Sequence, residues 1–136
     1  VYTGMTRKAS DILAKQSAST DEKRADLDGL RQQAIEVRNA LESGDHSTVG
    51  ELLSSSWQIK RNLVDGITGA ALDEIYDSVI ELGATGGKLL GAGGGGFFLF
   101  QGSPDIRSQV ERTHKVLPLV MDSTGSTIIF DDGSRL

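Results

Sequence analysis

Gly83-Ala84-Thr85-Gly86-Gly87-Lys88-Leu89-Leu90-Gly91-Ala92-Gly93-Gly94-Gly95-Gly96-Phe97-Phe98-Leu99-Phe100 is the stretch whose reading decides the fold. Eight of the 17 glycines fall within it, at positions 83, 86, 87, 91, 93, 94, 95 and 96, and an apolar Phe-rich run follows at once. Glycine lacks a Cβ, so successive residues can take φ > 0 and let their N–H groups converge on one point, a nest for an anion such as phosphate. The Phe97–Phe100 run reads as a buried strand. A backbone-exposing loop is therefore expected to be pinned to the core. A bare turn needs one or two glycines, and the surplus carries a conformational-entropy cost that argues for a ligand.

Two phosphate-binding patterns fail against this stretch. The P-loop requires G-x-x-x-x-G-K-[ST], but Lys88 is followed by Leu89 and position 82 is Leu. Gly91 to Gly96 satisfies G-x-G-x-x-G, yet the dinucleotide fingerprint needs a strand before it and a helix after it. Here an amphipathic helical pattern precedes the loop and a strand follows.

Composition narrows the class. A chain of 136 residues is expected to form one domain over 1–136 and to bury roughly two thirds of its unfolded surface. No apolar run approaches the roughly 18 residues of a membrane span, and Val1-Tyr2-Thr3-Gly4 lacks the basic and apolar regions of a signal peptide. The net charge of −5 argues against a nucleic-acid partner. The absence of cysteine fits a cytoplasmic location and removes thiolate metal sites. His46 and His114 have no ligand partner at useful spacing, so no metal site is expected.

Working outward, Val1-Tyr2 reads as a strand stub and Thr3-Gly4 as a turn. Thr6 can cap a helix with Ala9, Ile12 and Leu13 inward. Ser19 and Glu22 match a capping box for a helix running to about Ser43, with Leu27, Leu30, Ala34, Val37 and Leu41 as its stripe and Gly44 as its stop. Asp45 can cap a helix over about 46–64 carrying Val49, Leu52, Leu53 and Leu63, and Ser54-Ser55-Ser56-Trp57 brings small hydroxyls beside the only tryptophan. Thr68 opens a further helix, with Leu72, Ile75, Tyr76, Val79 and Leu82 inward and Gly83 ending it. Ser103-Pro104-Asp105 starts a short helix through about Thr113. Val116–Met121 and Thr127–Phe130 read as a hairpin across Asp122–Gly125, the first strand at an edge because Pro118 has no N–H. Residues 131–136 read as a frayed tail. The sum is α+β: helices layered on an antiparallel sheet.

The pattern G-[AG]-x-G-x-K-x-x-G-A-G-x-G-G, met from Gly83 to Gly96, resembles the third conserved motif of the GHMP small-molecule kinases, named for galactokinase and the homoserine, mevalonate and phosphomevalonate kinases. Val1–Gly4 with Arg7 and Ser10, Ser56-Trp57 with Lys60-Arg61, and Val116-Leu117-Pro118 through Asp122 and Gly125 are similar to the C-terminal domain of the D-glycero-D-manno-heptose 7-phosphate kinases. The resemblance implies a ferredoxin-like plait with extra helices. It also implies the C-terminal domain of an ATP-dependent kinase that phosphorylates a sugar hydroxyl, most simply the anomeric one of heptose 7-phosphate. In that family the nucleotide loop, P-x-x-x-G-[LI]-x-S-[SA], and the catalytic aspartate belong to an N-terminal GHMP domain. Neither follows Pro104 or Pro118, so no catalytic residue is expected in this chain, and the isolated chain is expected to be inactive. ATP and Mg2+ are implied for the whole enzyme, with the N-terminal domain and a sugar phosphate as partners.

Candidate site residues follow. Gly91, Ala92, Gly93, Gly94 and Gly95 can present N–H groups to phosphate or substrate, or brace the partner domain's loop. Lys88 can approach a phosphate or face solvent. Arg7 can grip a substrate phosphate through a bidentate contact or form a surface ion pair. Trp57 and Lys60, about one helical turn apart, share a face that can close over the sugar, unless the tryptophan is core. Two readings compete with the heptose kinase: a non-catalytic module binding a phosphometabolite or partner loop, and a GHMP kinase for galactose, fucose or mevalonate.

Overall fold

A computed structural model describes residues 1–120, 122 and 124–127. Four helices come first: α1 (Ala9–Ala18), α2 (Arg24–Ser43), α3 (His46–Arg61) and α4 (Ala70–Glu81). Strands β1 (Gly86–Leu89) and β2 (Phe98–Gln101) follow, then helix α5 (Pro104–Val110). β1 and β2 pair antiparallel, Gly86 opposite Gln101 and Leu89 opposite Phe98, so the glycine loop is the closed end of a hairpin. Val1 and Phe98 exchange backbone hydrogen bonds of 2.8 Å, Tyr2 bridges Phe97, and the Tyr2 amide donates to the Lys115 carbonyl. The N-terminal segment therefore runs along the free side of β2, as the strand stub predicts. No helix among the described residues is long and apolar enough to cross a membrane.

Several local signals act as read. Gly44 ends α2 at φ 73°, and Asp45 accepts from the Thr48 amide to cap α3. Gly83 follows α4 at φ 104°, and the Ser103 side chain caps α5 with Pro104 in its first turn. Three expected caps do not form. Thr6 lies outside α1, whose N-cap is Lys8; Leu13 is exposed there, and Ile12 alone is buried. Ser19 closes α1 by donating to the Lys15 and Gln16 carbonyls, so its hydroxyl is spent before α2 begins at Arg24. Thr68 donates to the Asp73 carboxylate at 2.5 Å, leaving Gly69 as the N-cap of α4. On α2 Ala40 is buried and Leu30, Gln33 and Val37 are half-buried, whereas Leu27, Ala34 and Leu41 of the expected stripe are exposed; Gln33 donates to the Ser55 hydroxyl of α3 at 2.6 Å.

Val116–Val120 is not a strand. Val116 packs beside Val79, Ala84 and Val110, after which Leu117, Leu119 and Val120 are exposed with no described strand to pair with. The expected second arm, 127–130, lies outside the described residues except for Thr127, as does the tail 131–136.

The main core joins Ile12, Trp57, Leu63, Ile67, Leu72, Tyr76, Leu89 and Phe98. Trp57 meets Phe98 edge to face at 5.6 Å and an interplanar angle of 89°, a favoured aromatic geometry. α3 lies directly on β1. A Cβ on Gly86 would stand 1.8 Å from the Gly50 carbonyl oxygen, so helix and strand approach backbone to backbone.

That contact cannot be relieved by turning a side chain. Gly86→Ala should lower stability at or above the upper end of the roughly 1–3 kcal/mol typical of overpacking. Gly44→Ala, strained at φ +73° but with open space around it, should lose only about 1–2 kcal/mol. Urea unfolding of the two variants checks the ranking, and equal losses would contradict the backbone contact.

Candidate functional site

The loop between the strands holds five glycines at positive φ: Gly91 (71°), Gly93 (118°), Gly94 (73°), Gly95 (152°) and Gly96 (95°). Glycine is needed here twice over, for its φ and for its size. A Cβ at Gly93 would stand 2.9 Å from the Ile67 Cα, and one at Gly95 would stand 2.5 Å from the Met5 carbonyl oxygen. The loop is thus pressed onto the 3–7 segment and the α3–α4 connection. Its amides divide into two sets. Gly94 donates to the Ile67 carbonyl at 2.8 Å, and Gly96 to the Met5 carbonyl at 2.9 Å. The amides of Gly91, Ala92, Gly93 and Gly95 have no hydrogen-bond partner among the described residues. Gly94, expected to present its N–H to a ligand, instead spends it on the Ile67 carbonyl of this chain.

Two clefts border the loop. One, of about 360 Å³, lies between Gly94, Arg7, Gly66 and the start of α4 at Gly69 and Ala70. The other, of about 510 Å³, lies between α1, α2, Lys60, Gly91 and Ala92. Arg7 is exposed, donates to the Gly66 carbonyl at 3.2 Å and has no carboxylate in ion-pair range among the described residues, so the expected surface ion pair is not made. The amides of Ala70 and Ala71 at the start of α4 are likewise unpaired among the described residues, and helix starts favour negative charge.

Trp57 does not face either cleft. It is fully buried against Phe98 and Tyr76, so the aromatic lid over the sugar is corrected to a core residue. Lys60 lines the second cleft and reaches the entry of the loop, while Lys88 turns to α3. The Lys60 ammonium donates to the carbonyls of Leu89 at 3.0 Å and Gly91 at 2.5 Å. Lys88 donates to Ser56 at 2.8 Å. Ser56 and Lys60 are one turn apart on α3, so one face of that helix receives both contacts from the hairpin. Burial lowers the Lys60 pKa to about 8, with the neighbouring Lys88 charge adding to the effect, and burial lowers that of Lys88. Neither lysine has a carboxylate partner among the described residues. Two partly desolvated cations beside a loop of bare amides make a locally electropositive place in a chain of net charge −5.

Sequence reasoning missed the groups that hold the loop. The carbonyls of Ile67 and Met5 carry no side-chain signal, and Thr3 adds a hydroxyl contact of 2.9 Å to the Gly96 carbonyl. Ser54 accepts from the Gly87 amide and shares a 2.7 Å hydrogen bond with Tyr76. The run of small hydroxyls at 54–56 was the available signal for that contact.

Comparison with known proteins bears on the family and the fold. A family model described as GHMP kinases C terminal matches residues 37–115. The chain is 36% identical over 101 residues to the D-glycero-alpha-D-manno-heptose 7-phosphate kinase of Campylobacter jejuni, covering 73% of this chain and 30% of the relative. It is 31% identical over 120 residues to the L-fucokinase/L-fucose-1-P guanylyltransferase of Bacteroides fragilis, covering 85% of this chain and 12% of that protein. The chain thus spans less than a third of these curated relatives. The fold is like that of L. major mevalonate kinase, crystallised with R-mevalonate, with a TM-score of 0.71, 23% identity, and coverage of 82% of this chain and 35% of that one. On these matches and on its helices over an antiparallel hairpin, the chain belongs to the GHMP kinases C terminal family.

Proposed function

We propose that this chain is the C-terminal part of an ATP-dependent sugar kinase that transfers the γ-phosphoryl group to the anomeric hydroxyl of a heptose 7-phosphate. The observation that carries the reading is the set of unpaired amides at Gly91, Ala92, Gly93 and Gly95, held in a fixed loop between two clefts. Phosphoryl transfer is largely positioning and neutralisation of charge on the phosphoryl and its attacking and leaving oxygens. Bare amides beside the Lys60–Lys88 pair supply such neutralisation, and neither lysine has a carboxylate partner among the described residues. Arg7, with no acidic partner among the described residues, suits the phosphate the sugar already carries, which a guanidinium grips with two parallel N–H groups. The heptose assignment draws on the C. jejuni relative and on the family segments around the loop.

The nucleotide loop and the proton-accepting aspartate are assigned to an N-terminal GHMP domain, the chain's expected partner. The loop amides fit the anionic phosphates of ATP. Mg2+, which binds through substrate phosphates, waters and one or two carboxylates, is assigned with the nucleotide to the N-terminal domain. ATP and the lack of cysteine suit the cytoplasm. The fucokinase match, which covers more of this chain than the heptose kinase match, favours one second reading: a kinase of the same family for an unphosphorylated sugar such as fucose.

The full-length protein carrying this chain should convert ATP to ADP only when a phosphorylated heptose or related sugar is supplied. Equal turnover with homoserine or mevalonate would end the sugar assignment, and preference for free fucose would select the second reading. The 136-residue chain alone should give no phosphoryl transfer; turnover by it, free of contaminating kinase, refutes the division of labour. Arg7→Met in the full-length enzyme should raise KM for the sugar phosphate about 10- to 100-fold, the size of a lost charged hydrogen bond, and leave KM for ATP in place. An unchanged sugar KM would remove Arg7 from the site.

A further inference from the structure

Lys60 stands apart from the other cations of this chain. Its ammonium is drawn out of water, repelled by Lys88, and satisfied by two backbone carbonyls of the hairpin it packs beneath. Burying a cation without an anion is unfavourable unless oxygen atoms replace its water, and the carbonyls of Leu89 and Gly91 do so. Those two carbonyls lie at the entry to the glycine loop. The peptide between Gly91 and Ala92 is trans and planar, so its C=O and N–H point in opposite directions. Fixing the Gly91 carbonyl on Lys60 turns the Ala92 amide away from α3.

We propose that Lys60 is a positioning residue for the loop: by holding the carbonyls of Leu89 and Gly91, its ammonium fixes the direction of the Ala92 amide and of the unpaired amides that follow it, so that they converge on an anion. The two ends of the loop are then held by different devices. The exit is tied by the Gly94 and Gly96 amides, which are consumed in doing so. The entry is tied through carbonyls, which leaves its amides free. A lysine beneath the entry achieves this where a carboxylate could not, because only a donor can bind carbonyls. The role differs from touching the sugar, and it rests on the reading of the loop as a phosphoryl-binding element.

The charge on Lys60 supplies a readout. With its pKa near 8, the ammonium is present at about pH 7 and largely lost at about pH 9.5, whereas an ordinary lysine stays charged there. Lys88 of β1 is the charged group acting on it; the cleft walls of α1 and α2 present Leu13, Gln16, Leu27 and Leu30, none of them charged. Sulfate is a suitable probe because its own charge is constant over this range.

Carbon-detected NMR of the 136-residue chain would follow the backbone nitrogens of Ala92, Gly93 and Gly95 as sulfate is added. In the wild type these shift, and the half-saturating concentration rises about five- to tenfold between about pH 7 and pH 9.5, as expected for one lost charge at partly screened range. Lys60→Met binds about as weakly at the lower pH as the wild type does at the higher, with no pH dependence, while Lys60→Arg binds at both. Lys88→Met binds sulfate more weakly but still loses binding at high pH, the loss moving to higher pH because the charge that helps lower the Lys60 pKa is gone. Sulfate binding by Lys60→Met with the wild-type strength and pH profile overturns the proposal while leaving the loop reading intact. If the wild-type amides do not respond to sulfate at all, the loop reading fails with it. Should Lys60→Met not fold, the Lys60→Arg profile decides: a retained loss of binding at high pH contradicts the role.

Discussion

The two hydrogen bonds that Gly94 and Gly96 donate to the carbonyls of Ile67 and Met5 are the constraint on which the site depends. A run of glycines is the least ordered backbone a chain can contain, and without anchors it would sample too many conformations to present its amides in one direction. The anchors come from segments far apart in sequence. Residues 3–7 and the α3–α4 connection both close on the loop, and the contacts leave no room for a Cβ at Gly93, Gly94 or Gly95. The same residues are required to be glycine by φ and by crowding, which makes the loop a packed object and not a slack one.

Behind the loop the hairpin is seated by similar means. β1 lies so close to α3 that Gly86 and Gly50 meet backbone to backbone, and Trp57 is driven wholly into the core against Phe98. This close seating brings Ser56 and Lys60 of α3 within reach of the strand and buries the Lys60 and Lys88 ammonium groups. The core packing and the electropositive floor of the loop are thus one arrangement. The helix that supplies the tryptophan to the core also supplies the lysine to the loop.

Much of this was legible in the residues. Gly44, Asp45, Gly83 and Ser103-Pro104 each act through local chemistry that needs no tertiary context, and the glycine stretch carries both the strand that follows it and the resemblance to GHMP kinases. Signals that depend on competition for a hydroxyl were read wrongly. Ser19 is taken by the preceding helix and Thr68 by Asp73, a carboxylate that also receives Arg61 at 2.5 Å. Trp57 and Lys60 share a helix face by spacing, but spacing does not say whether that face meets water or a strand. Val116–Val120 is a short apolar run of the kind a buried strand shows, yet strand formation needs a neighbour's carbonyls for its amides, and no described residue supplies them.

The central claim is that the loop's amides are divided, two spent on anchoring and the rest left bare. Native-state hydrogen exchange of the unliganded chain, resolved amide by amide, tests it most directly. The account predicts slow exchange at Gly94 and Gly96 and near-unprotected exchange at Gly91, Ala92, Gly93 and Gly95. Uniform protection across Gly91–Gly96 would mean that the amides are consumed inside the protein, and uniform fast exchange would mean that the anchors do not hold; either result contradicts it.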